Sequence, residues 1–191
     1  RVARLVDHLR SVAQPFEIIV VDGGSTDGTV PEARSCEGVR VLTSPRGRSH
    51  QMRRGASVAP GDVLWFVHAD VRPPEDARHR IEEVLADPTV VAGAFRTRTV
   101  VEGPRPWMRR LLRSADLRAS YTRLPYGDQA LFVWRHWYEA VGGFTPLELM
   151  EDIDLSIRLS RVGRISMVRG SRIEVSGRRF EAHPVWAALC M

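Results

Sequence analysis

Twice before residue 71 the chain runs a short β-branched and aromatic stretch into a carboxylate, and each time a polar loop and a helix-like segment follow. The first stretch is Glu17–Asp22 (EIIVVD), followed by Gly23-Gly24-Ser25-Thr26-Asp27-Gly28-Thr29. The second is Asp62–His68 (DVLWFVH), which leads to Asp70. Neither alternates with polar residues, so both read as strands covered on two faces, the environment of a parallel sheet. Parallel neighbours need crossovers, and the spacing predicts helices for them. Val2, Leu5, Val6, Leu9 and Val12 recur on one helical face before Pro15 ends it. Further helices are predicted over Val30–Cys36, Ser49–Ala59 and from Pro73-Pro74 to Ala86, with a strand over Val39–Thr43. The alternation predicts a doubly wound α/β sheet through residue 86, with its functional loops beyond the carboxyl ends of the strands. Asp22 and Asp70 fall at that edge.

After residue 90 the pattern changes. A longer strand is predicted over Val90–Val101, a basic amphipathic helix over Trp107–Arg118, a loop over Tyr121–Gln129 and a strand over Ala130–Trp134. A helix over Glu151–Val162, with Leu155, Leu159 and Val162 as its buried stripe, precedes short strands at Ile165–Val168 and Arg172–Val175. The sheet is therefore expected to be mixed. No linker interrupts the 191 residues, so one domain is expected.

Charge narrows the partners. The net charge is +5, and all 28 basic residues are arginine, which suits an anionic ligand. Nucleic acid is not expected: the arginines are scattered among 23 acidic residues, and the dense stretch Arg46–Arg54 has no aromatic residue to stack on bases. Two cysteines, Cys36 and Cys190, make no disulfide framework, and no apolar run approaches the roughly 20 residues of a membrane span. No signal peptide is visible, so a reducing, cytoplasmic setting is expected. Trp107-Met108-Arg109-Arg110-Leu111-Leu112-Arg113 is basic and amphipathic enough for peripheral contact with anionic lipid, although a helix packed on the sheet is its ordinary reading.

Several segments carry chemistry. Asp22 at a strand end, followed by Gly23 and Ser25, can accept bonds from a base or ribose, while Asp27 or Thr26 can equally cap the next helix. The loop has neither the G-x-G-x-x-G spacing of dinucleotide binders nor the Gly-Lys-Ser/Thr of a phosphate loop. His68 and Asp70 are candidate cation ligands, or Asp70 caps the following helix. Gly127, Asp128 and Gln129 lie in a loop, and Glu151-Asp152-Ile153-Asp154 opens a helix, where acids also favour the dipole. An anchored helix end can hold a general base rigidly, and acids in such company are expected to raise one another's pKa. Arg48, Arg178 and Arg179 are candidate phosphate partners, and His183 a candidate third metal ligand.

Taken together these segments resemble family 2 glycosyltransferases of the GT-A fold. The resemblance rests on V-V-D-G-G-S-T-D-G-T at 20–29, H-A-D at 68–70, G-D-Q-A-L-F-V at 127–133, V-G-G-F at 141–144 and M-E-D-I-D-L-S-I-R-L at 150–159. It looks closest to the bacterial branch that carries H-A-D in place of D-x-D and G-R-R-F near the end, here at 177–180. It implies a Rossmann-like α/β fold with a central, mostly parallel mixed sheet flanked by helices. Family members begin with a strand that has no counterpart ahead of the first helix here, so a domain truncated at its N-terminus, and open to truncation at its C-terminus, is expected.

The resemblance also implies an activity, the transfer of a sugar from a nucleotide diphosphate sugar to an acceptor hydroxyl with inversion, assisted by Mn²⁺ or Mg²⁺. It places Asp22 on the nucleotide, Asp70 with His68 and His183 on the metal, Asp152 as general base, and Gly127 and Asp128 beside the acceptor. Gln129 and Glu151 join that acceptor group, while Gly23, Ser25, Asp27 and Arg48 join the nucleotide group. Arg178 and Arg179 would face the diphosphate. The acceptor is open among small molecule, glycan and lipid. Two alternatives stand beside this reading, a nucleotidyltransferase-like enzyme and a non-catalytic nucleotide-binding module. A haloacid dehalogenase-type phosphatase is not supported, because no strand ends in D-x-D-x-T.

Overall fold

The computed structural model describes residues 2–12, 16–100, 124–125 and 128–176. The expected helix at Trp107–Arg118, and Gly127, Arg178, Arg179 and His183, lie outside the described residues.

The chain opens with α1 (Val2–Val12), β1 (Ile18–Asp22), α2 (Thr29–Arg34), β2 (Val39–Thr43) and α3 (Arg48–Ala56). It continues through β3 (Val63–Trp65), β4 (Val71–Arg72), α4 (Ala77–Leu85) and β5 (Val90–Val100). After β6 (Phe132–Trp134) come α5 (Arg135–Ala140), α6 (Glu151–Ser160) and β7 (Arg164–Ser176). β1 and β2 pair in parallel, Ile18 with Val39 through Asp22 with Thr43. The remaining strands form a five-stranded sheet in the order β3-β6-β5-β7-β4. There β5 and β7 are parallel, whereas β3 with β6, β6 with β5, and β4 with β7 are antiparallel. The sheet is mixed as expected, with fewer parallel pairs than the early alternation suggests.

Three differences from expectation have local causes. β3 stops at Trp65 because its partner strand begins only at Phe132. One further backbone bond joins Phe66 to Leu131 at 2.8 Å, and Ala130, at φ 47°, then turns the partner strand away. The two short strands expected near the end are one strand, β7, whose register against β5 jumps between Met167 and Arg172 around Gly170 at φ 83°. Val162 is exposed rather than part of the α6 stripe, because the helix ends at Ser160.

The core lies on the five-stranded sheet. Phe95, Phe132, Phe144, Leu155 and Leu159 are fully buried, each stabilising the fold by roughly 1.5–3 kcal/mol. Gly93 lets β5 sit this tightly: a Cβ there would lie 2.4 Å from the Phe132 ring and 2.7 Å from the Ser166 carbonyl. β1 and β3, by contrast, share no ladder. Between them lies an apolar cavity of about 500 Å³, walled by Val20 and Val21 on one side and Leu64 and Phe66 on the other, with Val6 of α1 and Met52 of α3 also lining it.

Candidate active site

The carboxyl end of β1 delivers Asp22, buried although charged. Its Oδ2 accepts backbone N–H bonds from Gly24 at 2.8 Å and Ser25 at 2.9 Å. Hydrogen bonds from Ser25, side chain first, then backbone, and from Gly24 outweigh burial and hold its carboxyl below the ordinary aspartate value. Gly24 makes the wrap possible at φ 94°, a conformation that side-chain-bearing residues rarely adopt. Gly23 packs against Gln51, whose amide donates to the Val21 carbonyl at 3.0 Å, tying the loop to α3. Asp27 belongs to the turn: its Oδ1 accepts the Thr29 N–H at 3.0 Å at the start of α2, and it is exposed. The residue at the cap position of α2 is Gly28, with no side-chain cap bond, so the Asp27 bond belongs to the turn ahead of it.

Beyond β3 the chain turns at once, with the Val71 N–H donating to the His68 carbonyl at 3.1 Å. Asp70 does not cap α4. The residue ahead of α4 is Asp76, bonded to Arg80 and Ser171, while the Asp70 carbonyl accepts from Ser176 of β7. Because β6 runs antiparallel to β3, the residues just before β6 return to the edge where β3 ends. Asp128 is thereby brought within electrostatic reach of His68, and Arg48 at the head of α3 places Nη2 3.9 Å from Asp128 Oδ1. Gln129 is buried, and its carbonyl accepts from the Phe95 N–H at 2.9 Å.

The head of α6 completes the group. Glu151 and Asp152 are only 3% and 8% exposed. Glu151 Oε1 and Asp128 Oδ1 are buried oxygens with no hydrogen-bond partner among the described residues. Desolvated carboxylate oxygens are costly to leave without a partner, and Arg48 is the charged group nearest to Asp128 Oδ1, at 3.9 Å. His68 lies among them. Burial lowers its pKa first and foremost, Arg48 adds to this, and Asp128, Asp70 and Glu151 oppose it. The neutral ring that results keeps a lone pair available at neutral pH.

The expected mutual raising of the acid pKa values fails at Asp154. Arg158 and Thr145 hold that carboxyl below its ordinary value, through bonds of 2.6 Å from Arg158 Nη2 and 2.7 Å from Thr145 Oγ1. Asp154 is a clamp for the loop ahead of α6 rather than a member of the acidic group. The i,i+4 spacing of Asp154 and Arg158 was the available signal for it.

Among the described residues no three His, Cys, Asp or Glu side chains converge as a cation cage. His68 and Asp70 are two donors of the kind that suit Mn²⁺ when the remaining ligands come from a bound diphosphate. Arg48, His68, Asp128 and Glu151 thus meet at one sheet edge, with Asp152 beside Glu151. His183, Gly127, Arg178 and Arg179 lie outside the described residues, so their expected places in the site are not part of this geometry.

Residues 1–145 match the sequence profile of glycosyl transferase family 2. The chain belongs to that family. A β-monoglucosyldiacylglycerol synthase of Synechocystis sp. is 26% identical to this family 2 chain over 179 residues, covering 83% of this chain and 37% of the relative. Residues 1–349 of S. aureus TarS superpose with a TM-score of 0.66 at 20% identity, covering 92% of this chain and 56% of that one. The mannosyltransferase PcManGT of Pyrobaculum calidifontis, solved with GDP-Man and Mn²⁺, superposes with a TM-score of 0.65 at 22% identity, covering 91% and 52%. The family 2 chain therefore has the GT-A fold and spans about half the length of these structures. Membership speaks against the nucleotidyltransferase alternative. Among the described residues no helix is long and apolar enough to cross a membrane.

Proposed function

We propose that the chain transfers a sugar from a nucleotide diphosphate sugar to an acceptor hydroxyl by a single displacement with inversion. One observation carries the reading. Arg48, His68, Asp128 and Glu151 converge at one sheet edge, where Asp128 Oδ1 and Glu151 Oε1 are buried without a hydrogen bond among the described residues. Asp22 binds the nucleoside, its carboxyl already ionised by the Ser25 and Gly24 bonds. Asp70 and the neutral His68 are the residues that would hold a divalent cation, Mn²⁺ or Mg²⁺. When bound, that cation supplies Lewis-acid compensation for charge growing on the departing diphosphate. Arg48 adds fixed positive charge there. Asp152 takes the proton of the acceptor hydroxyl while the acceptor oxygen bonds to the anomeric carbon and the bond to the diphosphate oxygen breaks. A buried carboxylate at the end of an anchored helix suits that task, because its position does not depend on the substrate.

The relatives supply independent support. PcManGT was solved with GDP-Man and Mn²⁺, and the Synechocystis relative is named for a glucosylated diacylglycerol, which keeps lipid among the acceptors alongside glycans and small molecules. A cytoplasmic location, peripheral to a membrane if the acceptor is a lipid, follows from the same reading.

The test is thermal stabilisation by a panel of nucleoside diphosphates and their sugars, with Mn²⁺, with Mg²⁺ and with chelator. A ligand that binds the native state alone raises its apparent stability by mass action. A metal-dependent rise with one nucleoside diphosphate supports the transferase and names its base, and Asp70→Ala should remove the metal dependence. A flat panel supports a non-catalytic module instead.

The cavity between β1 and β3 supports a reading of the domain as well. Its apolar walls, and the edges of β1 and β3 that face it without a partner strand among the described residues, fit one additional strand, so that residues 1–191 read as a single domain with room for one more strand. Adding an apolar strand ahead of Val2 should slow amide exchange at Ile18–Val21. Unchanged exchange would count against it.

A further inference from the structure

Beyond Gly170 the strands β5 and β7 pair again, Arg96 with Arg172, Thr97 with Ile173 and Arg98 with Glu174. Phe95 and Ile173 both pack into the apolar cluster that takes in Ala77 and Ile81 of α4. Alternation along the two strands therefore turns Arg96, Arg172, Arg98 and Glu174 to the opposite face. That is the face of α6, whose Leu155 and Leu159 cluster with Val91 and Ala92. The two pairs on it differ. Arg98 has an acid opposite, and its Nη2 lies 3.4 Å from Glu174 Oε1. Arg96 has a second arginine opposite, and among the described residues neither Arg96 nor Arg172 has an ion pair or a hydrogen bond. Like charges directly opposite each other destabilise a sheet. The Nε of Arg96 is buried as well and has no hydrogen-bond partner, which adds the cost of desolvating it. No pairing among the described residues offsets either cost.

The place of this pair in the fold selects its ligand. Phe95 donates its N–H to the Gln129 carbonyl at 2.9 Å, so Arg96 follows β5 out beside Gln129 and Asp128. α6 runs back along β5, because Gly163, just past its end, packs on Val91. Five strand steps from Val91 to Arg96 cover about 17 Å, and the helix from Ser160 back to Glu151 rises about 14 Å. The head of α6, with the proposed base Asp152, is thus carried toward the level of Arg96. The order β3-β6-β5 sets Arg96 two strands away from β3, about 10 Å across the sheet. Asp70, proposed for the donor's diphosphate, follows β3, so the arginines stand on the far side of β6 from it. The partner on that side is the one that brings a hydroxyl to Asp152. We infer that Arg96 and Arg172 form a binding site for a phosphate group on the acceptor, so that the acceptor is a phosphorylated alcohol. The inference rests on the transferase reading above. Two guanidiniums match the double charge of a phosphate monoester and present paired N–H donors to its oxygens. A phosphate bound there offsets the repulsion between the arginines and gives the buried Nε a partner.

The test titrates inorganic phosphate calorimetrically into protein already saturated with Mn²⁺ and the nucleoside diphosphate named by the stabilisation panel, so that the donor's phosphate positions are filled. The wild-type complex should bind phosphate more tightly than acetate. Arg96→Gln and Arg172→Gln should each weaken phosphate by roughly 10-fold or more, as expected for losing charge-assisted hydrogen bonds, with nucleoside diphosphate affinity unchanged. Neither variant should lower the melting temperature, because each removes a repulsion. Arg172→Glu copies the Arg98–Glu174 pair one step along the ladder, so it should raise the melting temperature while abolishing phosphate binding. In transfer, glucose 6-phosphate and glycerol 3-phosphate are each compared with the unphosphorylated parent. At least one phosphorylated member should be preferred in kcat/KM, and Arg172→Gln should bring that preference toward one through KM. If phosphate does not bind the loaded wild-type complex, or binds the variants equally well, the site is wrong although donor binding stands. Acetate bound as tightly as phosphate would overturn the phosphate assignment. Loss of nucleoside diphosphate affinity in the variants would assign the arginines to the donor and overturn the acceptor site. So would the lack of a preference in both acceptor pairs. If no nucleoside diphosphate or its sugar binds the wild-type protein, the transferase reading falls and takes the acceptor site with it.

Discussion

In β5 the six residues Val90–Phe95 are all buried, whereas in β1 Ile18, Ile19, Val20 and Val21 are half-covered and only the terminal Asp22 is buried. The two strands support opposite sides of the proposed site. β5 lies between β6 and β7, under the helix that carries Glu151 and Asp152, while β1 has β2 on one edge and an apolar cavity on the other. Local stability follows buried apolar contact, so the side proposed for the acceptor is the rigid side and the loop proposed for the nucleotide hangs from the softer one. The difference assigns different tasks. A proton acceptor needs fixed geometry, whereas a loop that wraps a nucleotide tolerates looser support.

The largest effect that would sharpen this contrast comes from the rigid side. Asp152→Asn should lower transfer by roughly 10²- to 10⁴-fold, the range for loss of a positioned general base. Nucleotide binding should stay near its wild-type strength, because Asp22 and Asp70 are untouched. Steady-state transfer and calorimetric donor binding check it together, and full transfer in the variant would remove Asp152 from the role of base. Next in size is packing. Phe132→Ala, beside Gly93 and Phe95, should cost about 3–5 kcal/mol, while Val20→Ala in β1 should cost about 1 kcal/mol. Urea midpoints at unchanged m-value measure both. Equal losses would break the comparison.

Much of this was readable from the chain. A strand covered on two faces announces itself by its own residues, so EIIVVD, its terminal Asp22 and the acids heading α6 could be located in advance. What periodicity reports is how a residue is covered, not by which strand. The meeting of Asp128 with His68 depends on β6 running antiparallel to β3, a long-range pairing that no local pattern encodes. The same holds for the Ser49–Leu147 bond, which joins residues 98 positions apart. The split expected in β7 was a real feature misplaced in kind. Gly170 interrupts the register against β5 without ending the strand. At Asp154, composition pointed to an acidic cluster, and only the neighbouring Arg158 and Thr145 show it to be a satisfied carboxylate.

A smaller effect tests the soft side alone. Gly24→Ala places a Cβ at φ 94°, where strain of roughly 1–3 kcal/mol must be absorbed by the loop. Nothing lies within 4 Å of that Cβ, so the cost is backbone strain without a clash. It should act first on the N–H bonds to Asp22, lowering nucleoside diphosphate affinity more than the melting temperature. If the melting temperature fell as far as it does in Phe132→Ala, the loop would be integral to the core and the contrast between the two sides would fail.

The smallest effect comes from acid. Asp22 and Asp154 both have folded-state pKa values below the ordinary 3.8, the first through Ser25 and the second through Arg158. Below 3.8 the unfolded chain therefore binds more protons than the folded one. The stability these carboxylates contribute is present in full above that value and is lost as pH falls through their folded pKa values. The two report on different sides. Asp154→Asn removes the ion pair with Arg158, which is partly exposed, so its cost at neutral pH should be no more than about 1 kcal/mol. It should also flatten the acid limb of the protein's stability curve while leaving acid loss of nucleotide binding unchanged, because Asp22, the residue proposed for the nucleotide, is untouched. Asp22→Asn should do the reverse. If either variant altered both limbs, the two sides of the site would be coupled through the cavity between β1 and β3 rather than supported separately.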